Sequence, residues 1–467
     1  ILVDSALRIV CQGKQVTLTA QSNNGKQLLP YLQTHVQNCS AKLVEDTLTL
    51  TYNEVASDID EASKLIADNA FSALRSCINS IKSTTDNPFS VFLGGVFAYD
   101  MVANFETLSD VPDGENSCPD YVFYLAETLV VIDHQAKTTE LIGNVFNGPE
   151  VHANCFEVGQ QLERLNTVCD NAQSYQGQKQ TGSNPISVDV SDEQYCEHVI
   201  KLKKNIVDGD IFQVVPSRTF SLACPDSLHA YSQLKQQNPS PYMFYMRDEE
   251  FVLFGASPES ALKYCPESKQ VEVYPIAGTR PRGKFANGQI NPDLDSRIEL
   301  ELRNDQKERA EHLMLVDLAR NDVARISVPG TRHAKELLKV DRYSQVMHLV
   351  SRVVGTLKPE LDALHAYQAC MNMGTLVGAP KVRAAELVRQ TEQKRRGSYG
   401  GAVGYLTGDG AMDSCIVIRS AFVKNGTAFV QAGAGVVFDS EPQSEANETR
   451  AKAQAVITAI QSTYEAQ

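Results

Sequence analysis

Apolar and polar residues alternate over residues 6–10 and again over 16–20, with Gln12, Gly13 and Lys14 between them. That pattern predicts an antiparallel hairpin. From 60 to 81 the period changes, and Leu65, Ile66, Ala70, Phe71, Leu74 and Ile78 recur at helical spacing, which predicts one amphipathic helix. Strand patterning returns at 91–99 and 121–133, and a further helix is expected over 151–169. Residues 170–185 (DNAQSYQGQKQTGSNP) carry almost no aliphatic side chains and read as a linker. Directly afterwards Ser191 and Gln194 have the spacing of a capping box, so a helix should open there and end near Asp208 and Gly209. Beyond it β runs are expected at 211–215, 251–255, 271–276, 345–354, 411–423 and 427–431. Helices should interrupt them at 307–320, 361–371, 380–393 and 444–463, and Asn425-Gly426 marks a hairpin turn. The whole reads as α+β, mostly antiparallel.

The length of 467 residues allows two or three units or one large intertwined sandwich. The linker divides the chain into an N-terminal region, 1–170, a connection, 171–190, and a second region, 191–467. No apolar run approaches the length of a membrane span, and no signal peptide is evident. A net charge of -14 argues against nucleic acid as the main partner. The 11 cysteines are scattered without Cys-x-x-Cys spacing, which predicts reduced thiols and a cytoplasmic setting. The chain begins at Ile1, so an upstream segment is expected to be missing.

Candidate chemistry concentrates in the second region. Glu308 and Glu311 lie three apart in a helical segment, so both carboxylates emerge on one face, and Glu445 and Glu448 repeat the arrangement. Hard carboxylate oxygens suit Mg²⁺, whereas for either pair alone a solvated helix face is the commoner meaning. Arg419 falls in a strand pattern with Cys415, Val417 and Ala421, where a guanidinium needs either a structural ion pair or a substrate carboxylate. The Gly-x-Gly at Gly433, Ala434 and Gly435 is either a turn or an anion nest. His348 alternates with Val346 and Val350, which favours a hydrogen-bonded core histidine over a base. Glu259 follows a proline at a strand end and fits a loop-held acid or a turn-stabilising residue equally well.

Taken together, the segments GDIFQVVPSR (209–218), NPSPYMF (238–244), GASPES (255–260), PIAGTRPRG (275–283), EHLMLVDLARND (311–322), MNMGTLVGAPK (371–381), RGSYGGAVGY (396–405), IVIRSA (416–421), QAGAGVV (431–437) and SEANETR (444–450) closely resemble the anthranilate synthase large subunits among the chorismate-utilising enzymes. FLGGVFAYD (92–100) and CPDYVFYLAETL (118–129) extend the resemblance into the first region. It implies a large, mostly antiparallel β-sandwich flanked by helices, with two intertwined subdomains. It also implies chorismate as substrate and Mg²⁺ held by Glu311 and Glu448, with Glu308 and Glu445 in support. Arg419 and Tyr399 would hold the enolpyruvyl carboxylate, and backbone groups of Gly433, Ala434, Gly435, Gly278 and Thr279 the remaining anion contacts. Glu259 matches the general acid for loss of the 4-hydroxyl, His348 the base for the C2 proton, and Thr375 lies in a matched active-site segment. Two departures sort the chain among its relatives. Isochorismate and salicylate synthases carry Lys in place of Gln213, and aminodeoxychorismate synthases usually carry Lys in place of Ala277.

The chain has no cysteine flanked as Gly-x-Cys-x-Gly, so the resemblance implies a separate glutamine amidotransferase subunit as ammonia source, often in a heterotetramer. It further implies feedback inhibition by tryptophan, with Pro241, Tyr242 and Met243 as contacts on one wall; the early Leu-Leu-Glu-Ser segment that normally supplies another wall is absent. The competing reading from another class is a tryptophan-sensing binding module with an inactive site.

Overall fold

The computed structural model describes residues 1–55, 59–175, 177–343 and 346–465. Two antiparallel sheets dominate. The larger has fourteen strands, in the order Ile276–Pro281, Val346–Thr356, Gln270–Val273, Ser260–Cys265, Met412–Ile416, Ala402–Thr407, Phe92–Phe97, Tyr121–Asp133, Leu2–Gln12, Gln15–Ala20, Thr47–Tyr52 and Cys39–Val44. His333–Arg342 and Thr138–Gly143 pair with Val346–Thr356 and Tyr121–Asp133 beside that path. The smaller sheet runs Tyr242–Arg247, Val252–Ser257, Ser420–Lys424, Thr427–Gly433, Ser217–Ala223 and Ser187–Val188.

The sheets meet face to face, because strand alternation gives each an apolar inner surface. Val96, Val122, Val403 and Cys415 of the larger sheet share one buried cluster with Leu253 and Phe422 of the smaller. The outer face of the large sheet is covered by helices that contribute Phe71, Val316, Val323 and Tyr367 to the main core. Helices Ser227–Gln237 and Pro442–Gln461 cover the small sheet through Leu234, Val456 and Ile460. The architecture is the helix-flanked antiparallel sandwich expected. Its large sheet is continuous across both regions, since Phe92–Phe97 pairs with Ala402–Thr407. Among the described residues no helix is long and apolar enough to cross a membrane.

The hairpin at the start, the strand Tyr121–Asp133 and the helix Val151–Asp170 lie where the pattern put them. The capping box forms in full, with Gln194 N–H donating to Ser191 Oγ and Ser191 N–H to the Gln194 side chain. Ser191→Ala should cost about 1 kcal/mol of stability, read as a lower denaturation midpoint at unchanged slope.

Two expectations need correction. Residues 60–81 form two helices, Glu61–Ile66 and Phe71–Ser80. Ala67 turns to extended backbone, and Asn69 caps the second helix by accepting from the N–H of Phe71. Asn and Asp side chains compete for backbone in this way, and helical apolar spacing alone does not register it. Residues 411–423 form two strands in different sheets, Met412–Ile416 and Ser420–Lys424, joined at Arg419, whose φ is +50°. The strand expected at 345–354 is found at Val346–Thr356, and Gln345 lies outside the described residues. The pattern reading omitted helix Pro292–Asn304 and edge strand His333–Arg342, both dense in charge.

Candidate active site

The chain crosses from one sheet to the other at two neighbouring points. Val252–Ser257 belongs to the small sheet and Ser260–Cys265 to the large one, with Pro258 and Glu259 as the step between. Val417–Ile418–Arg419 is the return step. The two crossovers are tied together, since Ile416 N–H donates to Glu259 O (3.0 Å) and Ala256 N–H to Arg419 O (3.1 Å). Side chains at such steps leave the strand alternation, and Glu259 and Arg419 sit at this seam where the two crossovers meet.

Glu259 is 6% exposed. Thr375 Oγ1 donates to its Oε1 at 3.1 Å. Burial pushes the carboxyl up to about 8, against the opposing pull of Thr375, the Ile276 backbone, Lys452 and Arg419. It is therefore a protonated acid at neutral pH.

Arg419 is partly buried, and among the described residues its guanidinium makes no ion pair or side-chain hydrogen bond. Burial lowers its pKa, which Tyr399, Glu448 and Glu259 oppose. The structural ion pair considered from sequence is thus not formed, and the fork is free for an incoming carboxylate. Its left-handed backbone is costly for a side-chain-bearing residue and is held by the surrounding strands. Tyr399 is buried, and burial pushes its hydroxyl up to about 12.

The glycine run is less open than the nest reading supposed. Ala434 N–H donates to Pro216 O (3.2 Å), so it cannot also serve an anion. The backbone N–H of Gly433 meets the Tyr399 hydroxyl, and Gly433 O accepts from Lys452 Nζ (3.1 Å). A β-carbon at Gly435 would sit 2.7 Å from Gln213 Nε2, which places the buried Gln213 against this turn.

His348 lies on Val346–Thr356, opposite Thr279 on one side and Asp341 on the other. Its Nδ1 is 3.0 Å from Thr279 Oγ1 and 3.3 Å from Gly278 O. A carbonyl there assigns the proton to Nδ1 and leaves the Nε2 lone pair free. Burial, helped by Arg419, lowers the ring to about 4, so it is a neutral acceptor at pH 7. Gly278 has φ +72°, and a β-carbon would meet Glu308 Oε2 at 3.0 Å, so glycine permits both the turn and the close carboxylate.

Both acidic pairs sit near helix starts, on Gln306–Ile326 and Pro442–Gln461. Glu308 accepts from Arg280 at 2.7 Å. Glu311 is pushed up to about 7, first by burial and then by Glu308, Glu445 and Glu448, against Lys307 at 3.9 Å. Burial and Glu448 also raise Glu445, although Ser440 opposes them. Glu448 differs: burial would raise it, but Lys452, 2.7 Å away, leaves it below the usual carboxylate value. Glu311 and Glu445, both raised by burial and by neighbouring carboxylates, are the kind of group a hard divalent cation relieves. Among the described residues, however, no three acidic, imidazole or thiol groups already converge on one point. Glu311 and Glu448 could therefore supply two protein oxygens, leaving the remaining positions to water and substrate.

Tyr242 and Met243 begin the small sheet's edge strand, Tyr242–Arg247, and Pro241 immediately precedes it. Tyr242 donates to Asp413 Oδ1 (3.0 Å), and its backbone pairs with Ser257, two residues before Glu259. Ala277 sits on Ile276–Pro281 opposite Leu349.

Lys452 joins Glu448 to Gly433, and its one sequence signal is the Glu-to-Lys spacing of four on one helix. Arg396, which no local pattern marks, is fully buried against Glu392 at 2.5 Å and donates to Leu376 O and Val215 O. That guanidinium lies 5.6 Å from the Tyr399 ring centre and so braces it.

Residues 30–458 match the family model described as chorismate binding enzyme. The chain is 58% identical to anthranilate synthase component 1 of Vibrio cholerae, over 98% of this chain and 88% of that protein. Against the protein of the same name from Escherichia coli the identity is 54%, covering 100% of this chain and 89% of the relative. The crystal structure of anthranilate synthase component I from Streptococcus pneumoniae superposes with a TM-score of 0.76 at 28% identity, over 98% of this chain and 91% of that one.

Proposed function

Since the chain belongs to the chorismate binding enzymes, in their anthranilate synthase component 1 family, we propose that it converts chorismate and ammonia to anthranilate and pyruvate, the first committed step towards tryptophan. The observation that carries this reading is Glu259, an acid held protonated in the seam beside an uncommitted guanidinium.

Arg419 and Tyr399 hold the enolpyruvyl carboxylate, with Gly278, Thr279 and the turn through Gly433 and Gly435 closing round the ring. The nitrogen lone pair bonds to ring C2 as the C4–O bond breaks. Hydroxide leaves poorly, so Glu259 gives it a proton and water departs. Thr375, donating to Glu259, fixes that carboxyl's orientation. In the second step Nε2 of His348 takes the C2 proton, the C–O bond to the enolpyruvyl group breaks, and the ring becomes aromatic as pyruvate is released. Mg²⁺ bound by Glu311 and Glu448, supported by Glu308 and Glu445, would neutralise the ring carboxylate. Gln213 and Ala277 offer no amine at either position, which favours direct ammonia addition over hydroxylation or covalent attack.

Ammonia is mostly ammonium at neutral pH, so a glutamine amidotransferase partner is part of the proposal, in a heterotetramer in the cytoplasm. Tryptophan would inhibit at Pro241, Tyr242 and Met243, whose strand is hydrogen-bonded to the one leading into Glu259.

Chorismate, Mg²⁺ and ammonium at slightly alkaline pH, without glutamine, should yield fluorescent anthranilate and pyruvate in equal amounts. Isochorismate without pyruvate would overturn the assignment, and absence of turnover would favour a binding module. His348→Met should let the aminated intermediate accumulate; unchanged anthranilate formation would remove His348 from the second step.

A further inference from the structure

The strand Ile276–Pro281 carries one residue more than its partner. Ala277 pairs with Leu349 and Thr279 with His348, so Gly278 bulges out of the ladder. From that bulge Gly278 O reaches His348 Nδ1 at 3.3 Å, and Thr279 Oγ1 meets the same nitrogen at 3.0 Å. The other side of the bulge lies against Glu308, whose Oε2 would be 3.0 Å from a β-carbon at Gly278. One turn thus touches both the base and a carboxylate of the acidic pairs. A bulge disrupts the ladder locally, so its position has to be fixed from elsewhere.

Arg280 supplies that hold. Its Nη1 donates to Thr279 O (2.9 Å) and to Glu308 Oε1 (2.7 Å), and its Nη2 donates to Asp305 Oδ2 (2.8 Å). Asp305 is the junction at which helix Pro292–Asn304 ends and Gln306–Ile326 begins. Its Oδ1 accepts from the N–H of Glu308 at 3.1 Å. Arg280, Asp305 and Glu308 therefore close a ring around the first turn of the helix that carries Glu308 and Glu311. The donors of a guanidinium are fixed in one plane, so a shift of the helix start is passed to the bulge. The Arg280 side chain is 30% exposed, so replacing it opens no cavity in the core.

We propose that Arg280 is a positioning residue that keeps His348 and the start of the Glu308–Glu311 helix in one register, aligning the base and the metal carboxylates together. The proposal rests on the reaction read above. Arg280 itself touches neither substrate nor metal. Without its fork the bulge loosens, His348 loses the fixed acceptor that keeps its Nε2 lone pair available, and Glu308 loses the donor that orients it.

Arg280→Met keeps the apolar stem and removes the fork. It should weaken Mg²⁺ binding to the full chain, read by calorimetry with the metal alone, by about tenfold. With chorismate and ammonium it should let the aminated intermediate accumulate, lowering kcat for anthranilate by about tenfold and leaving the KM for chorismate within about twofold. Because Arg280 acts on the metal through Glu308, the double variant Arg280→Met with Glu308→Ala should bind Mg²⁺ as Glu308→Ala alone does. Arg280→Lys, which keeps the charge but not the planar fork, should show the same changes in smaller measure. Unchanged metal affinity in Arg280→Met, additive losses in the double variant, absence of the intermediate, or full recovery by lysine would each overturn the clamp. Absence of turnover in the unsubstituted chain would instead overturn the reaction reading, and the calorimetric comparison would still decide the metal end of the clamp.

Discussion

Replacing Glu259 with glutamine is expected to lower kcat by about 10²- to 10⁴-fold with little change in the KM for chorismate. Glutamine keeps the size and can still accept from Thr375, but it has no proton to give to the departing hydroxyl. The same group sets the pH profile. A carboxyl pushed up to about 8 is protonated through neutrality, so kcat at saturating ammonia should fall as pH rises through about 8, and the variant should lose that limb. The stability effect has a definite sign too. The folded value lies above the ordinary 4.5, so the contribution of Glu259 is complete below that pH and is lost as pH rises through about 8. A variant retaining near-normal kcat would exclude Glu259 as the proton donor.

Glu448→Ala should abolish Mg²⁺-dependent turnover, and Glu311→Ala should do the same. Glu308→Ala, in a supporting position, should weaken apparent metal affinity by about 10- to 100-fold without abolishing turnover. Stability of the metal-free protein separates this from misfolding. Glu311 is raised by burial and by three carboxylates around it, so its removal relieves repulsion, and Glu311→Ala should melt no lower than the unsubstituted chain. Normal metal dependence in Glu448→Ala would show that a ligand had been misplaced.

Much of the sandwich is legible in the pattern, because strands with one buried face must alternate, as Gln15–Ala20 does with Val16 and Leu18 turned inward. The break at Ala67–Asn69 was not, because it depends on a side chain competing for backbone. Nor was the charged edge strand His333–Arg342, where Lys and Glu protect an exposed edge and hide its period. In the site, motif resemblance named the residues but spacing could not say why they meet. Glu259 and Arg419 are brought together by two sheet-to-sheet crossings, and a period-two pattern read straight through 411–423 misses the second. Lys452 has no distinctive signature, because an i,i+4 lysine is common on any helix surface. The commitment of Ala434 N–H to Pro216 is a tertiary contact with no local signature.

The pairing of Phe92–Phe97 with Ala402–Thr407 bears on how the polypeptide is made. During synthesis the N-terminal strands leave the ribosome long before the strand that covers their edge exists. Until then Phe92–Phe97 presents unpaired backbone to its surroundings, and the high contact order makes closure slow. Completion of the large sheet therefore waits on the C-terminal half, and an open edge of this kind is the feature that favours pairing with other chains.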